Sequence, residues 1–249
     1  MYEKVASSLD WNWSDYARFL TCTRRPGLTG EVVKISSGCN SLRFTLFECL
    51  ADQTGDLDHP VYSLYTLEAE LDLGASILLA YGGYYKQAGI CLRSFLELAF
   101  LSIYYADHRK EYSRWKIGEE KSPPFHARDA SVLEYIFKKT KLKDHQELKK
   151  EASSLYLELN QFVHTGGIDK LDLWRGRDNV PRFLPHSFQL WLSYLKRIHI
   201  VTALSFLILY YDAIGHYLQR DKSGMLKEIF TSIGKKSLQQ VDIGHKPMG

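Results

Sequence analysis

His164, Asn160, Arg93 and Glu97 are the side chains whose types and spacing suit chemistry. His164 ends a helical stretch just before Thr165-Gly166-Gly167, with Asn160 one turn earlier on the same side of the helix. Unpaired carbonyls in a last turn favour the charged imidazole, so a histidine there titrates near neutrality and can move protons. Its plain alternative is a solvent-facing helix cap. Arg93 and Glu97 stand four apart on another helical stretch and form one polar stripe with Lys86 and Tyr104. That stripe crosses an otherwise apolar helix, so its charges must either pair with each other or line a polar cleft. In the cleft reading Arg93 faces an anion, and in the paired reading it is closed on Glu97. A basic and aromatic group, Trp174 with Arg175 and Arg177, suits stacking on a base beside a phosphate, and Lys86 adds a further cation.

Other chemistries lack their residues. The chain carries no Gly-x-x-x-x-Gly-Lys phosphate loop, no His-Glu-x-x-His and no Gly-x-Ser-x-Gly. Cys22, Cys39, Cys49 and Cys91 contain no Cys-x-x-Cys pair, and His199 and His216 share a helix at a spacing that defines no metal site. No metal and no cofactor is expected. Glu68 with Asp72, and Glu119 with Glu120, read as solvated carboxylates. The lysines at 138, 139, 141, 143, 149 and 150, interrupted by Asp144 and Glu147, suit contact with a phosphate backbone but read more simply as a solvated helix boundary.

The elements that must position these residues are helical from Val61 onward. Periodicity predicts helices over Val61–Tyr81, Tyr84–Ala106, Ala130–Thr140, Lys143–His164, Ser187–Gln219 and Gly224–Leu238. On a helical wheel Leu148, Ala152, Leu155, Leu159 and Phe162 make a core stripe about 80° wide, and His164 lies about 160° from Leu148. Ala88, Leu92, Phe95, Leu96, Ala99 and Ile103 make another core face. Phe100, Leu101 and Ile90 fall elsewhere on that wheel, the mark of a buried helix. Phe188, Trp191, Leu195, Ile198, Thr202, Phe206 and Leu209 alternate at steps of three and four, a packing seam. Residues 1–60 read as an N-terminal appendage of mixed structure. It holds a short helix near Ser14–Thr21, and GEVVKI and LRFTLFECL have strand or irregular content. The fold class is all-α: an up-and-down bundle over 61–240 with that small appendage.

Composition agrees with one large folded unit. Of 249 residues 45% are hydrophobic and 24% charged, which excludes a disordered chain. Lys and Arg number 32 against 29 Asp and Glu, so a net charge of +3 demands no nucleic-acid partner. The opening MYEKVASSLD lacks a signal peptide's apolar core. Gly74–Ala106 is interrupted by Lys86, Arg93 and Glu97, and Ile198–Tyr211 is short of the ~20 residues a bilayer crossing needs. The expectation is a cytoplasmic chain with no membrane contact.

The stretch GGYYKQAGICLRSFLELAFLSIYY (Gly82–Tyr105), then LYLELNQFVHTGG (Leu155–Gly167), then a long apolar helix, resembles the HEPN superfamily of helical domains. The resemblance spans Val61–Gln219 and implies a HEPN-like bundle that works as a homodimer. Active members are metal-independent endoribonucleases, often of toxin–antitoxin or antiphage defence systems. The resemblance thus implies RNA as a partner, with a protein partner encoded nearby. It makes His164 the proton-transfer residue, Asn160 an orienting group and Arg93, beside Glu97, the stabiliser of charge on phosphorus. The family motif also places an arginine one to two turns before the histidine, where this chain has Leu157, Glu158 and Leu159. That departure leaves a second reading open, a non-catalytic HEPN-like dimerisation, scaffold or sensor module.

Overall fold

A computed structural model describes residues 26–54, 58–127, 130–163, 183–218 and 224–233. Nine α-helices make up these residues, with no strand among them. They are α1 (Pro26–Thr54), α2 (Ala69–Tyr81), α3 (Tyr85–Asp107), α4 (Arg109–Lys116), α5 (Val132–Lys139), α6 (Gln146–Val163), α7 (Pro185–Leu209), α8 (Tyr211–Leu218) and α9 (Met225–Ile233). A π-helical segment, Val61–Glu68, runs directly into α2, and a 3₁₀ turn, Lys141–Asp144, precedes α6. The all-α bundle expected from periodicity is the observed architecture.

α1 corrects the strand content expected of GEVVKI and LRFTLFECL. Both lie in one helix, and Val32, Ile35, Cys39, Leu42 and Leu46 from it are buried in the same apolar cluster as the rest of the bundle. Their spacing of three and four is helical, and tertiary burial overrode the β-branched preference of the segment. The helix expected at Ser14–Thr21 lies outside the described residues.

α3 is the hub. Its expected face is buried from Ala88 to Ile103, and Phe100 and Leu101 are buried too, while Ile90 points outward. α2 and α3 join through Gly82-Gly83, and Gly83 takes φ 83°, the left-handed region where a side chain is strained. On α6 the five residues of the expected stripe are the five buried ones. α7 begins with Pro185 at its first turn, where a missing N–H costs nothing. The Tyr85 hydroxyl brackets the preceding Leu184, accepting from its N–H at 3.0 Å and donating to its carbonyl at 3.2 Å. The helix expected to run unbroken to Gln219 instead ends at Leu209 and restarts at Tyr211 as α8. α5 is capped by Ser131, which accepts the Glu134 N–H at 3.2 Å.

α3 and α7 have the length and hydropathy of a bilayer span, with 61% and 56% of their most apolar windows buried inside the bundle. Burial on that scale is what a helical core requires of its central helices.

Candidate functional site

The polar stripe of α3 faces α6, and Gly89 makes the approach close. A Cβ built on it would stand 2.8 Å from the Phe162 ring, so only glycine lets the helices meet there. Farther along α3, Arg93 donates from Nη2 to Glu97 Oε1 at 2.8 Å and to the Tyr156 hydroxyl at 3.3 Å. Its guanidinium also lies 5.0 Å over the Tyr156 ring. The two charged side chains are 18% and 26% exposed, a pair at the edge of the bundle rather than in its core.

Two polar atoms of this seam are buried without a hydrogen-bond partner: Arg93 Nε on α3 and Asn160 Oδ1 on α6. One is a donor and the other an acceptor, and each carries a desolvation cost of about 1–3 kcal/mol. Asn160 stands one turn beyond Tyr156 on α6. On the other side, Phe125 packs at 4.7 Å and the exposed His126 stacks at 6.2 Å on Tyr156. The seam thus gathers a guanidinium, a phenol and an imidazole around the Tyr156 ring, with the Asn160 amide one turn along α6.

Of the residues expected at the site, Arg93 and Glu97 pair on α3, and Asn160 lies on α6, which packs against that helix. Lys86 lies half-buried in the first turn of α3. His164, Trp174, Arg175 and Arg177 lie outside the described residues. Sequence reasoning missed Tyr156 and His126. Tyr156 had a usable signal, since it precedes Asn160 by four on one helix face. His126 had none, because it sits in the loop after Pro123-Pro124 and reaches the Tyr156 ring only through the fold.

Several other charged groups are engaged with one another. Glu134 takes both Lys138, at 2.8 Å, and Lys149, and Lys141 meets Asp212 at 2.7 Å, so these lysines are paired. Arg197 on α7 donates to Glu151 at 2.6 Å and grips Glu158 with two N–H groups at 2.9 and 3.1 Å. That grip holds the Glu158 carboxyl below its usual range. Arg197 also borders a cleft of about 440 Å³ at the start of α6, together with His145, Glu151 and Leu204. Asp72, expected to be solvated, is half-buried, and burial raises its carboxyl despite a hydrogen bond from Ser94.

No protein-family model, no curated protein and no solved structure matches this chain.

Proposed function

We propose that the protein is a HEPN-like RNA-binding domain whose α3–α6 seam takes a ribose-phosphate unit at its surface and acts on it as a metal-independent endoribonuclease. One observation carries this reading: an orphan donor and an orphan acceptor, Arg93 Nε and Asn160 Oδ1, on two helices packed against each other. RNA offers the complementary pair on adjacent atoms, with phosphate oxygens to accept and a 2′-hydroxyl to donate. The aromatic wall of Tyr156, Phe125 and His126 gives a base a surface to stack on. Glu97 does not prevent this. A partly exposed i,i+4 ion pair is worth roughly 0.5 kcal/mol, while a charge-assisted contact to phosphate contributes about 1.5–3 kcal/mol, so phosphate displaces it. In the proposed reaction Arg93 stabilises charge on phosphorus, and His164, next in sequence after α6, transfers the proton with Asn160 orienting the 2′-hydroxyl. Homodimerisation, a cytoplasmic setting and a defence role belong to the same proposal through the HEPN resemblance.

A second reading has its own observation. Arg93 is held by both Glu97 and Tyr156, as befits a non-catalytic scaffold or sensor module in which the arginine is structural. Incubation of the full chain with mixed cellular RNA in EDTA separates the two. Cleavage by wild type, lost in His164→Ala and Arg93→Ala, is the result expected. RNA binding that weakens with salt, with no cleavage, assigns the module reading. Neither binding nor cleavage overturns both RNA roles.

A further inference from the structure

α2 is apolar on two faces. Its inner face, Ala69, Leu73, Ile77 and Ala80, is fully buried in the bundle. A surface helix ordinarily turns charge outward, yet the run Leu73–Tyr81 carries none. Leu71 is 61% exposed, Leu78 42% and Leu67, in the π-helical turn leading into α2, 37%. Leu71, Ala75, Leu78 and Gly82 follow one another at steps of four, three and four and fall within about 60° of one wheel, so they line one outward stripe. Gly82 belongs to it because it keeps helical dihedrals, φ −74° and ψ −7°. An outward apolar stripe of this kind marks a surface that packs against a partner.

The stripe alternates large and small residues, which makes it complementary to itself when run antiparallel. A two-fold axis between Ala75 and Leu78 sets Leu78 against the partner's Ala75 and Leu71 against the partner's Gly82. Each leucine then fills the space a missing side chain leaves. The exposed Tyr84 ring flanks that space, since a Cβ built on Gly82 would stand 3.1 Å from it. A parallel pair would instead set leucine on leucine and small residue on small residue. Charge favours the same orientation. The axis that seats Leu71 brings Glu68, one turn earlier, to the start of the partner's α3, where Lys86 stands. That helix end has no side-chain cap and no acidic residue in its first turn, so a carboxylate suits it. Glu68 is exposed and Lys86 half-buried, and neither has an ion-pair partner among the described residues. In a parallel pair Glu68 would face its own copy.

We infer that the outer face of α2 is a docking surface for a second copy of this chain, joined antiparallel through Leu71, Ala75, Leu78 and Gly82 and oriented by Glu68 against the partner's Lys86. The leucines supply the apolar burial that holds the pair, and the charges at its rim select the antiparallel arrangement. The surface rests on α2 and the first turn of α3 alone, so it holds whether or not the protein binds RNA.

Light scattering of the full chain behind a sizing column, from about 1 to 100 μM, tests it. The mass should rise with concentration from 28.8 kDa toward twice that value. Leu71→Glu, at a site exposed enough to leave the monomer folded, should raise the dissociation constant by about tenfold or more, with far-UV circular dichroism unchanged. Glu68→Lys and Lys86→Glu should each weaken the dimer by about fivefold, and both substitutions in one chain should restore it. Under oxidation, Ala75→Cys mixed with Leu78→Cys should cross-link faster than either protein alone, the linked peptides being identified by mass. A mass of 28.8 kDa at every concentration overturns the inference and leaves the stripe to a different protein. A dimer that Leu71→Glu leaves intact, single charge variants that the double substitution does not rescue, or Ala75→Cys pairing preferentially with itself overturns it as well.

Discussion

The guanidinium of Arg43 on α1 meets the carboxylate of Glu70 on α2 inside the bundle, with the two side chains 1% and 11% exposed. Arg43 also donates to Asn40 Oδ1 at 3.1 Å. Such a pair contributes little net stability over apolar replacements, because desolvating both charges offsets their attraction. Losing one partner is different, since the other charge stays buried. Glu70→Leu alone should therefore destabilise by about 3–5 kcal/mol, and Glu70→Leu with Arg43→Met by much less. Urea unfolding of the three proteins measures the difference, and equal losses in the single and double variants would refute it.

Trp191, Ser76 and Ala88 form a relay across three helices. The indole N–H donates to Ser76 Oγ at 2.9 Å, and that hydroxyl donates to the Ala88 carbonyl at 2.8 Å. Trp191 and Ser76 are fully buried. Ser76→Ala should cost about 1–3 kcal/mol by orphaning the indole N–H and should shift Trp191 fluorescence. Ser76→Thr, which keeps the hydroxyl, should preserve the emission.

Acid should weaken the protein before its ion-paired glutamates lose their charge. His199 is held down to about 4 against an ordinary 6.5 by desolvation. The unfolded chain therefore binds the proton more readily over that interval. This contribution is complete above pH 6.5 and is lost as pH falls toward 4, by roughly 3 kcal/mol at the limit. Glu134, lowered by Lys138 and Lys149, and Glu158, lowered by Arg197, lose their contributions only as pH falls through and below the 4.5 of an ordinary glutamate. Denaturant midpoints measured from pH 7.5 to 5 should decline, and a flat profile there would contradict the assignment.

Gly89 is the close-approach point of α3 and α6. Gly89→Ala adds a methyl 2.8 Å from the Phe162 ring, which also stands edge-on to Tyr194 at 6.2 Å. The gain in helix propensity of about 1 kcal/mol is outweighed by overpacking of about 1–3 kcal/mol. Thermal unfolding should show a lowered Tm, restored in part by Phe162→Leu. Because the same seam carries Arg93 and Asn160, the proposed function further requires that the variant weaken RNA binding.

The sequence by itself determined the class and most of the helices, because burial repeats with the helical period. The stripe Leu148, Ala152, Leu155, Leu159 and Phe162 is buried as its spacing required, and Arg93 pairs with Glu97 because four residues make one helical turn. Tertiary structure decided what period cannot express. It drew GEVVKI and LRFTLFECL into one helix, since burial against the bundle outweighed local β preference. It set Tyr156 over Arg93 across 63 residues and brought His126 from a proline loop to the same ring. Cys39 met His199 across 160 residues of chain, a contact no spacing rule reaches because it depends on how three helices pack.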